Sequence, residues 1–220
     1  MEVAAGPDEA ARRAAELIVA AGNEALAARG SFSLALSGGR TPLVMLAYLA
    51  RMEAPWDEME VFQVDERVAA PGSPDRNLTH MIVALPIERQ AVLRPMPVTS
   101  RDLEAVADEY AAALPQRLDL VHLGLGRDGH TASLVPGDPV LEVTDRKVAV
   151  TEEAYQGHRR MTLTYPPLDE ARRVFWLVTG EEKREPLGRL LDGDESIPAG
   201  RVRAEDMVVL ADEAAAGRAA

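Results

Sequence analysis

The sequence predicts an α/β fold: a single Rossmann-like domain over residues 1–220, with a mainly parallel β-sheet flanked by helices. Three observations predict it. Short apolar runs alternate with helical stretches, the rhythm of βαβ units. Glycine-rich or charged turns follow several of those runs, where the strand-to-helix connections of such units fall. The 220 residues, 47% apolar and 27% charged, supply one large core, and no linker or internal repeat divides them.

Taken in order, residues 8–29 carry Ala, Leu and Ile at helical spacing, with Asp8 and Glu9 early and Gly30 past the end, so a helix is expected. Phe32–Leu36 is an apolar run of strand character that empties into Ser37-Gly38-Gly39-Arg40-Thr41-Pro42, and Leu43–Arg51 resumes helical spacing. Val61–Val64 reads as a strand running into Asp65-Glu66-Arg67 and a loop rich in Pro and Gly. Residues 77–84 and 100–114 read as helices, with proline-punctuated turns between them. Leu118–Leu123 is a further strand, leading into Gly124-Leu-Gly126-Arg127-Asp128-Gly129-His130. Met161–Thr164, Val174–Val178 and Met207–Leu210 are later strands, with a helix over Glu181–Leu191 and an Ala-rich tail from Ala211.

Composition excludes several classes of function. Without cysteine there are no disulfides, thiol nucleophiles or thiolate metal sites. The N-terminus lacks a basic segment followed by an apolar core, and no run of about 18 apolar residues occurs, so neither a signal peptide nor a membrane span is expected. A cytoplasmic protein follows as the expectation. The formal charge of −12 argues against a nucleic-acid partner. An anionic ligand would need a local cationic pocket built against that overall field.

In parallel sheets, ligands bind beyond the carboxyl ends of the strands. Three polar segments fall there: Ser37–Thr41, Asp65–Arg67 and Asp128–His130. Gly38 and Gly39 let the backbone approach a ligand, and Thr41 with Pro42 suits a helix start, whose free N–H groups favour phosphate. The same features also make an ordinary strand-to-helix turn. In Asp65–Arg67 the fork of donors on Arg67 suits an anion, although a solvated loop with an internal ion pair fits equally well.

The run from Gly124 to Gly129 matches G-x-G-x-x-G, yet charged residues crowd the turn where pyrophosphate would approach. Glu142 also lies nearer than the roughly 20 residues expected of a ribose-binding acid. Asp128 and His130 read better as an acid–base pair, with the imidazole taking a proton from water and the carboxylate fixing its tautomer. The four histidines (80, 122, 130, 158) show no ligand-pair spacing, so no metal is expected. No G-x-S-x-G elbow and no Walker A spacing occurs.

The segments LALSGGRTP (34–42), VFQVDERVAAPGSPDRN (61–77), LDLVHLGLGRDGHTASLVPG (118–137) and RMTLTYPPLDEARRVFWLVTGEEKREPL (160–187) occur in the order and spacing of a known family. The chain resembles the 6-phosphogluconolactonases of the short bacterial and eukaryotic type. The resemblance implies hydrolysis of 6-phospho-glucono-1,5-lactone to 6-phosphogluconate without a cofactor, by a monomer or small homo-oligomer. It implies that His130 is the general base and Asp128 its support. It further implies that Ser37, Gly38, Gly39, Arg40, Thr41, Asp65, Arg67, Arg160 and Lys183 hold the sugar phosphate.

Three departures stand out: Arg76 and Val135 replace the family's usual serine and phenylalanine, and Tyr155-Gln-Gly-His-Arg159 lacks the family's proline-rich stretch. Arg160 is preferred to Arg159 because it abuts the Met161–Thr164 strand. Two rival functions are weighed. A glucosamine-6-phosphate deaminase needs an acidic residue shortly after Asp-Gly-His, where this chain has Ser133, Leu134 and Val135. A non-catalytic sugar-phosphate binder would be expected to lack Asp128 or the histidine, and both are present.

Overall fold

A computed structural model of the chain describes residues 1–85 and 91–217. The proline-punctuated turn expected from the sequence around 86–90 and the end of the Ala-rich tail lie outside the described residues. Seven parallel strands form the main sheet: β1 (Glu2–Ala4), β2 (Phe32–Leu36), β3 (Met59–Gln63), β5 (Val92–Arg94), β6 (Leu120–Leu123), β9 (Val174–Val178) and β10 (Met207–Asp212). Their order across the sheet is β1-β10-β9-β6-β2-β3-β5. Helices α1 (Pro7–Arg29), α2 (Arg40–Leu49), α3 (Asn77–Ala84), α4 (Leu103–Ala113), α5 (Tyr165–Asp169) and α6 (Arg184–Leu191) connect and flank them.

Strand side chains alternate between the two faces, and the core divides accordingly. Leu34, Leu36, Val61, Phe175, Leu177 and Leu210 pack with the α1 and α2 residues Ala14, Ile18, Met45 and Leu49 on one face. Ala35, Phe62, Val121, Leu123, Trp176 and Val209 pack with Tyr110, Met161 and Leu163 on the other. The central strands are buried on both faces, so they read as continuous apolar runs, as parallel strands covered by helices do. Each fully buried large side chain, such as Phe32 or Trp176, contributes about 1.5–3 kcal/mol. α1 starts with Pro7 in its first turn, and it ends on Gly30 in the left-handed region, the end that the sequence anticipates.

The structure corrects the sequence reading in four places. Asp65–Arg67 is a strand, β4, rather than a loop. It pairs antiparallel with β8 (Arg160–Leu163), which pairs antiparallel with β7 (Val148–Val150) in a separate three-stranded sheet. Helix α2 begins at Arg40, so Pro42 sits at its third position and Gly39, at φ 123°, is the cap. Thr41 makes no capping bond; its hydroxyl pairs with that of Thr179 at 2.8 Å. Glu181–Lys183 forms a 3-10 turn before α6 rather than the start of that helix.

Candidate active site

The strand order places the topological switch between β2 and β6. From β2 the chain proceeds outward through β3 to β5, then returns to β6 on the other side and continues through β9 to β10. Connections on either side of such a point diverge, leaving a crevice at the carboxyl ends. A cleft of about 560 Å³ lies there. It is lined by Ser37–Pro42 after β2, Asp65 and Arg67 of β4, Gly124–Arg127 and His130 after β6, Arg160 of β8, and Thr179, Glu182 and Lys183 after β9. Every sequence-predicted site residue except Asp128 lines it, and Asp128 touches it through His130.

After β2, Ser37 is turned inward: its Oγ donates to the His122 carbonyl at 3.0 Å, and its N–H to His122 Nδ1 at 3.3 Å. The Ser37 hydroxyl is therefore tied to the strand, and this loop presents backbone to the cleft. Leu43 is the first residue to donate within α2, back to Gly39. The Arg40 and Thr41 N–H groups are thus left open at the helix start, and Pro42 has none to offer. Gly38 is required by packing, since a Cβ there would meet Asn77 Oδ1 at 2.0 Å. His122 lies fully buried against Phe175, and burial pushes its imidazole down to about 3, so it stays neutral and takes no part in proton transfer at neutral pH.

After β6 the chain turns through Gly126 and Gly129, with the Gly126 N–H donating to the His130 carbonyl at 2.8 Å. This turn brings the ring of His130 back over its own start. Asp128 Oδ1 lies 2.6 Å from His130 Nδ1 and 3.2 Å from the His130 backbone N–H. With Nδ1 held by the carboxylate, Nε2 is the ring nitrogen left to the cleft. Tyr155 donates its phenol to Asp128 Oδ2 at 3.0 Å and packs edge-on against the imidazole at 5.3 Å. Burial raises the Asp128 carboxyl, but the His130 ring and backbone N–H together with the Tyr155 phenol outweigh it and hold the group below its ordinary value.

The opposite wall is the small sheet. Its register sets Arg67 directly across from Arg160, and like charges so paired repel. Nε of each guanidinium is buried without a partner among the described residues. Burial, reinforced by Arg67 and opposed by Asp65, lowers the Arg160 guanidinium from its ordinary value. Two adjacent cations with free buried donors are suited to receive an anion. Arg159, by contrast, is exposed and donates to the Thr151 carbonyl, so of the two arginines only Arg160 lines the cleft.

Buried polar contacts tie the two walls together. Ser133 Oγ donates to Asp65 Oδ2 at 2.6 Å, and the Ser133 N–H to Thr162 Oγ1 at 3.1 Å. Asn77 donates to the Asp65 carbonyl at 3.0 Å. Glu66, fully buried, accepts the N–H groups of Arg67, Asn77 and Leu78 at 2.8 Å each and the Gln63 amide at 3.0 Å, so it caps α3 and pins β4. Beyond β9, burial lowers the Lys183 ammonium, with Glu182 opposing.

Sequence reasoning missed Asn77, Tyr155 and the pair formed by Arg127 and Glu182, 3.7 Å apart beside the cleft. Asn77 had one legible signal, its place at the start of a helix after a Pro- and Gly-rich loop. Among the described residues no cluster of His, Asp and Glu could hold a metal ion, and no helix is long and apolar enough to cross a membrane.

A parallel sheet with a cationic, histidine-bearing cleft at its switch point defines an α/β enzyme. The profile of glucosamine-6-phosphate isomerases/6-phosphogluconolactonase matches residues 5–210. The chain is 38% identical over 183 residues to a 6-phosphogluconolactonase of Synechocystis sp., covering 76% of this chain and 74% of that one. It is 35% identical over 209 residues to the 6-phosphogluconolactonase of Rhizobium meliloti, covering 89% of each. A crystal structure of a 6-phosphogluconolactonase from Shewanella baltica superposes with a TM-score of 0.88 at 26% identity, over 96% of each chain. A monomeric glucosamine-6-phosphate deaminase shares the fold, with a TM-score of 0.86 at 21% identity over 99% of each chain. The chain belongs to the glucosamine-6-phosphate isomerase/6-phosphogluconolactonase family.

Proposed function

We propose that the chain hydrolyses 6-phospho-D-glucono-1,5-lactone to 6-phospho-D-gluconate, with His130 activating water and Asp128 holding its ring. The observation that carries this reading is the pairing of His130 Nδ1 with Asp128 at 2.6 Å, across a cleft from two arginines with unsatisfied donors. Nε2 removes a proton from water as the oxygen attacks the lactone carbonyl carbon. The tetrahedral intermediate collapses with cleavage of the bond to the ring oxygen, which takes the proton back from the imidazolium. A lactone is an activated ester, so a positioned water, one base and nearby cations suffice without a covalent nucleophile.

Arg67 and Arg160, with the open N–H groups of the Gly39–Thr41 turn, bind the phosphate and hydroxyls, with Arg40 and Lys183 adding positive charge. Ser37 and Thr41 shape the turn, and Asp65 holds Arg160 through an ion pair at 3.8 Å. The carboxylate partner of His130 is Asp128, two residues before it. The segment after it carries the buried Ser133 and Val135, which favours hydrolysis over deamination.

The test is enzyme-dependent acid release from fresh lactone in a pH-stat, measured above the spontaneous background and in parallel with glucosamine 6-phosphate. A saturable increment with lactone is expected. Ammonia release from the amino sugar would overturn the reading. Arg67→Ala removes one charge-assisted contact worth about 1.5–3 kcal/mol, so KM rises about 10- to 100-fold with kcat largely kept. A selective fall in kcat would assign Arg67 to the transition state instead.

A further inference from the structure

We propose that Tyr155 is a positioning residue for this reaction, acting through Asp128 to aim the His130 base and through its own backbone to seat Arg160. The inference rests on the hydrolase reading above. Tyr155 stands on a tight turn: its N–H donates to the His158 carbonyl at 3.0 Å, and the His158 N–H returns to the Tyr155 carbonyl at 3.4 Å. Between them Gln156 and Gly157 both have positive φ, 52° and 85°, the signature of a two-residue turn that joins antiparallel chain. The turn immediately precedes β8, so its geometry is locked to the strand that carries Arg160.

From this position one side chain meets every part of the acid–base assembly. The phenol donates to Asp128 Oδ2 at 3.0 Å and lies 3.4 Å from His130 Nδ1. With Oδ1 already taken by the His130 ring and backbone N–H, this bond leaves the carboxylate a single rotamer. The ring edge packs on the imidazole, and its face receives the Arg160 guanidinium at 5.2 Å. The Tyr155 carbonyl accepts from Arg160 Nη2 at 3.2 Å. The base and the anion-binding arginine are thus referenced to one residue that does not itself line the cleft.

Tyr155→Phe separates the roles, because it keeps the ring, the carbonyl and the Arg160 contact and removes only the donor to Asp128. The prediction is a fall in kcat of about tenfold, the size of one ordinary hydrogen bond, with KM nearly unchanged. Arg160 over the ring and Lys183 near Asp128 remain in place, so the change falls on the Asp128–His130 contact alone. In an Asp128→Asn background the same substitution should change kcat by less than about twofold, since the partner it acts through is gone.

Rates by pH-stat and the NMR chemical shifts of the His130 ring in the wild type, the single variants and the double variant test this. Unchanged kcat and unchanged His130 ring shifts in Tyr155→Phe would overturn the proposal. So would a full loss that persists with Asp128→Asn. If the wild-type protein leaves the lactone intact, the hydrolase reading fails, and the His130 ring shifts in Tyr155→Phe still decide whether Tyr155 positions the imidazole.

Discussion

Replacing His130 with alanine lowers kcat by about 10²–10⁴-fold, the span that one general base contributes, and leaves the fold intact. The expectation of intact folding rests on surroundings rather than on analogy. The His130 side chain is about one-fifth exposed, so its removal opens no sealed cavity. Asp128 keeps the Tyr155 phenol and the backbone N–H of residue 130 as donors, so no buried charge is orphaned. KM should change little, because the arginines and the Gly38–Gly39 turn stand on other elements. Initial rates above the uncatalysed background, with a thermal melt alongside, decide the matter. A wild-type rate in this variant would remove His130 from the base role.

Gly126→Ala should lower kcat by about 10²-fold while removing no functional group, the penalty for displacing reacting atoms by roughly an ångström. A Cβ at this position would lie 2.0 Å from His130 Nδ1 and 2.6 Å from Asp128 Oδ1, so the pair must move or separate. Gly126 does not have a positive φ, so alanine brings no left-handed backbone strain and the effect falls on the Asp128–His130 pair. Gly129→Ala is the useful contrast. It combines φ of 81° with a Cβ 2.5 Å from Ile197, and it should appear first as lost thermal stability. Wild-type kcat in Gly126→Ala would mean that the observed contact between Asp128 and His130 is not required for turnover.

How much of this the sequence carried varied with the length and polarity of each element. β2, β3, β6, β9 and β10 were legible because strands covered on both faces are mostly apolar, with single polar residues such as Ser33, Glu60 and His122 among them. β1, β5 and β7 have three residues each, too few for any period to show. The small sheet was hidden for a different reason. Asp65-Glu66-Arg67 looks like a solvated loop, and only tertiary contacts make it a strand: Glu66 is buried among backbone donors and Arg67 lies opposite Arg160. The polar segments after β2 and β6 could be placed at one sheet edge from topology alone, and they do meet there. Tyr155 could not, because its turn has no periodicity and reaches Asp128 across 27 residues of chain.

The division of the cleft between two sheets has an evolutionary consequence. The Asp128–His130 pair follows a strand of the large parallel sheet, whereas the paired arginines sit on the three-stranded sheet beside it. The two halves are joined at Tyr155, whose phenol reaches back to Asp128 from the turn leading into β8, and at the Ser133–Asp65 bond. Substitutions in the small sheet therefore have to keep both seams matched.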